Sequence, residues 1–467
     1  MIRLTLPLLL ILIACGGEDP KGDCRPPDLA PRQFDANADI LEQLRSIPQL
    51  ASLEERTSRY ADLRLFVMEF EQPIDHCQPD GAQFRQTLTL LFRARAAPLV
   101  YATNGYASSR NPTRSEPTVL LTGNQLQVEH RFFSTSRPAQ IPWETLNIFQ
   151  AASDHHRIVQ AFQPLLTGDW VNTGASKGGM TAIFHRYFYP DDVKATVAYV
   201  APETFGLEDA RYVTFLESVG EASCRDALSA FQRGVLSRRA ELEPALEQYG
   251  VAHDYAFTTF GLEKSLEFST LESSFAFWQY GDASLCPSIP APDAPAAELF
   301  DFMERIGVLG FLDDFALEYY APYFYQSATQ LGSPAYPQAH LLDLNGGQPI
   351  ADRVEDYPPL GVPKPFDPQV MIQVHDWVRD HGQRILFLYG QNDPWSAGAY
   401  EPNLGGDSHL FTVPGGNHGS NIAQLPEPDR TTATAVLRGW VLSAPPPVLP
   451  LRPQPEEQAV RRLRPRL

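Results

Sequence analysis

Cationic side chains are scarce in this sequence relative to acidic ones. Its 467 residues include 37 Lys and Arg but 56 Asp and Glu, which gives a formal net charge of −19 at pH 7. Proteins that bind nucleic acid need a basic surface for the phosphates, so nucleic acid is excluded as an expected partner. Hydrophobic residues form 43% of the chain and charged residues 20%, which suffices for a folded core and argues against general disorder.

The sequence also lacks an apolar run long enough to span a bilayer, which takes about 20 residues. Its longest apolar stretch, residues 4–13, follows a short basic start and suits the hydrophobic region of an export signal. The stretch runs into Leu-Ile-Ala-Cys-Gly, which is typical of a bacterial lipobox. We therefore expect residues 1–15 to be a lipoprotein signal peptide and Cys15 to carry the lipid. This places an exported protein at the outer membrane or cell surface. An ordinary signal peptide cleaved elsewhere, or extracellular release, is the alternative.

Cysteine is rare as well, with five in the chain, and no Cys-x-x-Cys pair occurs. A zinc site of that kind is therefore not expected, and no residue set calls for a metal or other cofactor. Cys24, Cys77, Cys224 and Cys286 remain beside Cys15, and export places them in an oxidising compartment. Of three possible pairings, Cys24–Cys77 with Cys224–Cys286 closes the shorter loops and is the one we expect.

Proline is abundant, with 42 residues that crowd the two ends and the middle of the chain. We interpret residues 16–48 as a proline-rich tether and residues 444–467, which combine proline with arginine, as a flexible tail. No internal repeat is visible.

Between these ends, short apolar runs alternate with helical patterns. Runs typical of buried strands occur at residues 88–92, 98–103, 125–133, 170–173, 196–200, 385–389 and 409–413. Apolar residues at helical spacing fill residues 145–166. This alternation predicts an α/β fold whose parallel sheet is covered on both faces. Residues 204–369 are aromatic and acidic, and we interpret them as a largely helical lid inserted between core segments 49–203 and 370–443.

The motif Gly-x-Ser-x-Gly occurs at residues 174–178, directly after an apolar strand and before a helix-like segment. In this context the motif is the nucleophile elbow of α/β-hydrolases, in which glycines allow a strained turn that lifts the serine above the sheet. Ser176 is therefore the predicted nucleophile. A helix start with small residues for close packing is the alternative.

The partners of Ser176 should follow in the order acid, then histidine, each after a late strand. Asp393 follows the strand run 385–389, and His418 lies in a glycine-rich loop after the run 409–413. Ser176 would attack a carbonyl, His418 would carry the proton, and Asp393 would orient the imidazole. Asp407 and His409 are the alternatives, but Asp407 precedes the last strand and His409 lies inside it.

An oxyanion hole needs two main-chain N–H groups. The first should come from Lys177, which follows the nucleophile. The second should come from the loop after an early strand, where Tyr106 is the expected donor and Gly105 the next candidate. A plain surface turn at this place is the alternative.

Substrate-binding residues are harder to predict. Glu129 and Arg131 lie at the end of a predicted strand. Either Arg131 pairs with a carboxylate that is buried at this strand end, or Glu129 faces the cleft and binds a positive group of the substrate. Glu203 follows a buried strand and is a second candidate for binding an amine. Trp278 belongs to an aromatic stretch that either floors a proline-sized pocket or forms the core of the lid.

Several longer blocks extend these motifs. They comprise residues 174–181, 185–193, 277–281, 389–395 and 415–419. Together they resemble the secreted bacterial prolyl tri/tetrapeptidyl aminopeptidases over most of residues 60–440, and residues 129–133 resemble the related Pro-Xaa carboxypeptidases. The resemblance implies an exported serine peptidase that removes short N-terminal peptides, often after proline, with Ser176, Asp393 and His418 on the family's triad positions. A lipid on Cys15 would depart from the freely secreted members.

The expected protein is thus a lidded α/β-hydrolase that acts on peptides through an acyl-enzyme, with no cofactor. A carboxylesterase or lipase could use the same triad, although the His-Gly-Gly-Gly loop of many esterases is missing. A non-catalytic surface binding protein is the alternative from another class. No oligomeric state is predicted.

Overall fold

The computed structural model describes residues 24–442 except residues 25 and 36. The predicted signal peptide 1–15, the lipidation site Cys15 and the tail 444–467 lie outside these residues. Within them, no helix combines the length and the apolar character that crossing a membrane requires.

The described residues contain a nine-stranded sheet with the order β1-β2-β3-β5-β4-β6-β7-β8-β9. The strands are β1 Leu50–Arg56, β2 Arg64–Pro73, β3 Gln83–Phe92, β4 Leu99–Thr103, β5 Asn124–Val128, β6 Trp170–Ala175, β7 Ala195–Tyr199, β8 Ile385–Gly390 and β9 His409–Val413. The pairs from β1 through β2 and β3 to β5 are antiparallel, and all pairs from β5 to β9 are parallel. The carboxyl ends of the parallel strands therefore meet along one edge, where ligands of such sheets bind.

Helices cover both faces of the sheet. The helices are α1 Ile40–Arg45, α2 Glu116–Leu121, α3 Ile148–Phe162, α4 Lys177–Phe188, α5 Arg211–Leu216, α6 Ala222–Ser237, α7 Arg239–His253, α8 Gly261–Tyr280, α9 Ala296–Arg305, α10 Val308–Phe311, α11 Asp314–Gln326, α12 Gln369–His381 and α13 Asp429–Val441. Strands β7 and β8 are buried along their whole length. Their successive residues pack on opposite sides, since Leu386 contacts the cluster of α2 and α13 whereas Phe387 contacts that of α4 and α12. Burial on both faces explains why these strands read as unbroken apolar runs.

The segment between β7 and β8 is largely helical, with α5 to α11 packed around an apolar core of their own that includes Phe231, Leu246 and Phe302. Its helix α8 contacts the turn that follows β8. The insertion therefore contacts the sheet at the carboxyl end of β8, and lid serves here only as a name for residues 204–369.

The N-terminal region differs from the tether expected over residues 16–48. Residues 27–33 are mostly exposed, although Leu29 N–H donates to Gln160 Oε1 at 2.9 Å, whereas Ile40 and Leu44 of α1 are buried against the sheet. The apolar spacing of α1 outweighs the proline content around it. The expected strand 125–133 is also shorter, since β5 ends at Val128.

Candidate active site

Ser176 occupies a sharp turn between β6 and α4. Its φ is 55° and its ψ −129°, a conformation that non-glycine residues adopt only where the surroundings enforce it. A side chain on Gly174 would approach the Gly178 carbonyl oxygen to 2.2 Å, and one on Gly178 would approach the Thr103 oxygen to 2.7 Å. Glycine is therefore required at both places for the turn to close. This elbow on a mostly parallel sheet with helices on both faces makes the fold that of an α/β-hydrolase.

Asp393 and His418 meet beyond β8 and β9. Asp393 Oδ2 lies 2.7 Å from His418 Nδ1, and Asp393 Oδ1 accepts the Trp395 N–H at 3.1 Å. The Asp393 side chain is fully buried and that of His418 is 10% exposed. An Nδ1–H that donates to the carboxylate leaves Nε2 as the proton acceptor. His418 Nε2 is buried and has no hydrogen-bond partner among the described residues, Ser176 Oγ included.

The histidine loop is attached to the lid. His418 N–H donates to the Gln279 carbonyl at 3.1 Å, and Asn417 Nδ2 donates to the Gly281 carbonyl at 2.9 Å. Gln279 is the penultimate residue of α8 and Gly281 follows that helix. The end of α8 therefore holds the loop that carries His418.

His418 and Ala175, the residue before Ser176, line the same cavity. A cavity of about 460 Å³ is lined by Ala175, Gly105, Tyr106 and His418, among others. The alternative pair lies elsewhere, since Asp407 is 3.0 Å from His409 Nε2 and also accepts the Trp440 indole N–H. Asp407 and His409 thus bind each other near the outer strand β9, away from Ser176.

The expected oxyanion donors lie side by side. A Cβ on Gly105 would come within 2.5 Å of Lys177 Cβ and 2.7 Å of Gly178 N, so the loop after β4 rests directly on the elbow. The main-chain N–H groups of Tyr106 and Lys177 donate to no acceptor within the part of the chain that the structure describes. Two unpaired donors beside the nucleophile can bind a developing oxyanion.

Glu129 is occupied by hydrogen bonds within its own loop region. Its Oε1 accepts from Thr135 Oγ1 and from the N–H and Oγ of Ser136, and its Oε2 accepts the Ser108 N–H, all at 2.8–2.9 Å. Burial raises the pKa of Glu129, although these hydrogen bonds act in the opposite direction. In this arrangement the carboxylate organises the loops beside Tyr106 and does not line the 460 Å³ cavity.

Arg131 forms the buried pair that was the alternative to a cleft-facing Glu129. Its Nε and Nη2 lie 2.7 and 2.8 Å from the two carboxylate oxygens of Asp154, and His76 Nε2 lies 2.7 Å from Oδ1. All three side chains are buried.

Glu203 is also engaged. Its carboxylate oxygens lie 2.8 and 3.0 Å from His375 Nδ1 on α12, and Arg211 Nη1 is 3.7 Å from Oε1. Burial raises the pKa of Glu203 despite these partners. Glu203 therefore links the first residues of the lid segment to α12. It does not line the 460 Å³ cavity.

Trp278 belongs to the core of the lid. It is 1% exposed, its ring packs edge-on against Phe277, and Gly220 lies against its six-membered ring. Tyr106 and Tyr199 are aromatic residues that do line the cavity. The Tyr106 ring packs edge-on against Tyr320 and Tyr323 of α11 at 5.4 and 5.8 Å between ring centroids.

Sequence reasoning missed an acidic pair in the lid. Glu272 on α8 and Asp352 interact directly, and Tyr357 Oη lies 3.2 Å from Glu272 Oε1 and 2.9 Å from Asp352 Oδ1. Burial raises the pKa of Asp352 to about 6, and burial together with the charge of Asp352 raises that of Glu272 well above its usual range. The two residues are 80 positions apart, and no sequence pattern connects them.

Two disulfides join Cys24 to Cys77 and Cys224 to Cys286. The first fixes the N-terminal segment to the loop between β2 and β3, and the second lies within the lid. Among the described residues, no group of three or more His, Cys, Asp or Glu side chains is arranged to hold a metal ion.

Comparison with known proteins places this site in a family. The model of the PS-10 peptidase S37 family matches residues 34–462. The chain belongs to that family. The resemblance noted from its motifs is thereby confirmed, and the S37 match covers the elbow, the Asp393–His418 pair and the lid together.

A curated relative of this S37 peptidase is the "Prolyl tri/tetrapeptidyl aminopeptidase" of Streptomyces mobaraensis. The two are 41% identical over 433 residues, which is 92% of this chain and 89% of the relative.

Solved structures are more distant. A proline iminopeptidase of Mycobacterium smegmatis is 15% identical with a TM-score of 0.36, covering 83% of this chain and 99% of its own. A peroxisomal α/β-hydrolase of Saccharomyces cerevisiae is 11% identical with a TM-score of 0.35, covering 85% and 93%. Similarity at this level carries no argument about function.

Proposed function

We propose that this S37 peptidase is an exported serine peptidase that releases tripeptides or tetrapeptides from the free N-termini of peptides, with a preference for cleavage after proline. The observation that carries the proposal is the 2.7 Å contact between His418 Nδ1 and Asp393 Oδ2 beside the strained Ser176 turn. Family membership and the name of the Streptomyces relative support the peptide substrate.

The reaction would proceed through an acyl-enzyme. Ser176 Oγ attacks the carbonyl carbon of the scissile peptide while His418 Nε2 takes the hydroxyl proton. The carbonyl oxygen becomes an oxyanion that the N–H groups of Lys177 and Tyr106 bind. His418 gives its proton to the leaving amine, and water then attacks the acyl-enzyme by the same route to release the short peptide and restore Ser176.

Release from an N-terminus requires a group that binds the substrate's amine. Glu129 and Glu203 remain our candidates for this role, but each would have to give up hydrogen bonds described above. Trp278 remains a candidate for contact with proline only through movement of the lid core. Variants E129Q and E203Q therefore belong in the test, because a carboxylate that binds the amine is needed only for unblocked substrates.

The test compares the purified full chain in detergent with Ser176→Ala on Ala-Pro, Ala-Ala-Pro and N-blocked Ala-Ala-Pro amide reporters. We expect rapid cleavage of the free tripeptidyl reporter, loss of cleavage when the amine is blocked, and no cleavage by the variant. Turnover of a short-chain nitrophenyl ester without any amide cleavage would contradict the proposal and favour an esterase. Failure of Ser176 to react with a fluorophosphonate would favour a binding protein.

We also propose that Cys15 carries a lipid anchor at the cell envelope. Two or more acyl chains hold a protein on a membrane stably, whereas a single chain does not. Metabolic labelling with an alkyne fatty acid should label the wild type and not Cys15→Ala. A mature N-terminus at another residue would show an ordinary signal peptide instead.

A further inference from the structure

We propose that the Lys177 side chain positions and polarises the Gly105–Tyr106 peptide so that the Tyr106 N–H serves as an oxyanion donor. Lys177 would thus have two roles. Its main-chain N–H would be one oxyanion donor, and its side-chain ammonium would orient the peptide that carries the other donor, the Tyr106 N–H. The inference rests on the proposed acyl-transfer chemistry but not on the choice of peptide substrate.

The first observation is where the lysine points. The Lys177 side chain turns into the protein, where the residue is 3% exposed, and its Nζ donates to the Gly105 carbonyl oxygen at 2.8 Å. No carboxylate of the described residues forms an ion pair with this Nζ, and burial alone shifts the pKa of the group. The Tyr106 and Phe133 rings face it instead, with centroids 5.6 and 5.4 Å away.

Burying an ammonium group without an anion is costly. One carbonyl and two aromatic faces offset part of the cost, yet burial lowers the pKa of Lys177 well below its usual range. The neighbouring His130 has a lowered pKa through its own burial and the charge of Lys177. A neutral side chain would satisfy a lone carbonyl at lower cost, so the lysine calls for a functional reason.

The second observation concerns the peptide that Lys177 contacts. The Gly105–Tyr106 peptide is trans, since both cis bonds in the described residues precede proline elsewhere. In a trans peptide the C=O and the following N–H point in opposite directions. Fixing the Gly105 oxygen on Lys177 therefore directs the Tyr106 N–H away from the ammonium, on the side where it has no acceptor among the described residues.

The ammonium also changes the strength of this donor. A hydrogen bond from a cation to a peptide oxygen draws electron density toward that oxygen, which makes the attached N–H a better donor. The benefit is largest for a full negative charge, which exists on the substrate oxygen only in the tetrahedral intermediate. Lys177 should therefore contribute to kcat more than to substrate binding.

The test compares the full wild-type chain with the variant Lys177→Met. It measures kcat, KM and the affinity for two inhibitors in both proteins. Met is unbranched like Lys and one atom shorter, and it cannot donate a hydrogen bond, so we expect kcat to fall about 10- to 100-fold with little change in KM. Ser176 Oγ adds to the carbonyl carbon of an Ala-Ala-Pro aldehyde while His418 Nε2 takes the hydroxyl proton, which leaves an oxyanion in the hole. Its affinity should fall by a similar factor. The matching alcohol forms no oxyanion, and its affinity should not change.

A matched control is Lys364→Met. Lys364 Nζ also donates to a main-chain oxygen, that of Glu355 at 2.8 Å, but in the lid. This variant should keep kcat and the affinity for the aldehyde. Unchanged kcat in Lys177→Met, or equal loss of aldehyde and alcohol binding, would overturn the proposal. Measuring the nitrophenyl ester in parallel separates the two ideas, because an enzyme that cleaves only esters contradicts the peptidase proposal while the test of Lys177 still stands.

Discussion

Two buried acidic sites, Asp154 on α3 and the pair Glu272 and Asp352 in the lid, have carboxyl pKa values shifted in opposite directions. Burial opposes ionisation of Asp154, but the charge and hydrogen bonds of Arg131, aided by His76, outweigh it and lower its pKa to about 2. Asp352 and Glu272 contact each other, and the Tyr357 hydroxyl lies within hydrogen-bond distance of both. Burial raises the pKa of Asp352 to about 6. Asp154 is paired with Arg131, whose charge is permanent, whereas Glu272 and Asp352 have no cationic partner among the described residues.

Glu203 falls between these extremes, because its nearest partner, His375, titrates. The hydrogen bond that His375 Nδ1–H donates to the Glu203 carboxylate raises the pKa of His375, and burial raises that of Glu203 itself. The three sites show that burial alone does not decide whether a carboxylate stabilises this fold. The nature of the partner does, and it should govern how each site responds to substitution and pH.

The largest effect should follow from removing the permanent cation. Arg131→Met leaves Asp154 buried with only His76 beside it, and removing one partner of a buried ion pair costs about 3–5 kcal/mol. We expect a free energy of unfolding lower by this amount in guanidinium titrations at pH 7. The double variant R131M/D154L should recover a large part of the loss. If R131M alone costs less than about 1 kcal/mol, the Asp154 site does not depend on its cation and the contrast with the lid is wrong.

A smaller effect of opposite sign is expected in the lid. The unfolded Asp352 loses its proton near its ordinary pKa of 3.8, whereas the folded one retains it until about pH 6. The free energy of unfolding of the wild type therefore falls as the pH rises from 3.8 to about 6. Asp352→Asn does not titrate and should be more stable than the wild type by about 1–2 kcal/mol at pH 8, with the gain vanishing near pH 4. Thermal unfolding at several pH values measures this difference. A loss of stability at pH 8 would mean that a cation neutralises the pair.

The smallest effect concerns His375. A histidine with a raised pKa stabilises the folded state below the unfolded pKa, and that contribution is lost as the pH rises through the folded value. His375→Gln should therefore cost up to about 1 kcal/mol near pH 5.5 and less at pH 9. Thermal unfolding of both proteins at the two pH values is the measurement. A cost that does not depend on pH would show that His375 contributes by packing alone.

The fold and the proposed triad were accessible from the sequence because their signals are local. Strands β7 and β8 are unbroken apolar runs, and Ser176, Asp393 and His418 each follow a strand within a few residues, so fold class could be predicted correctly and site positions proposed. Strand β1 was missed because its side chains are mostly exposed.

Contacts between distant parts of the chain left no such signal. His76 and Asp154 are 78 residues apart, and Glu203 is 172 residues from His375. The packing of α1 inside the expected tether was not predicted for a related reason, since proline content is a local property whereas the burial of Ile40 and Leu44 depends on the sheet they pack against. The contact of the Lys177 ammonium with the Gly105 oxygen could likewise not be predicted, because the motif involves the main chain of this residue and leaves its side chain unspecified.

The hydrogen bonds from His418 and Asn417 to the end of α8 have a consequence for how substrates enter. In the proposed mechanism, a lid that moved far enough to admit a bulky protein would draw His418 out of line with Ser176. Substrate entry and turnover would then compete, and only chains thin enough to pass a closed lid would reach an assembled catalytic centre. Size selection, on this view, follows from the assembly of the catalytic centre as well as from the width of its entrance.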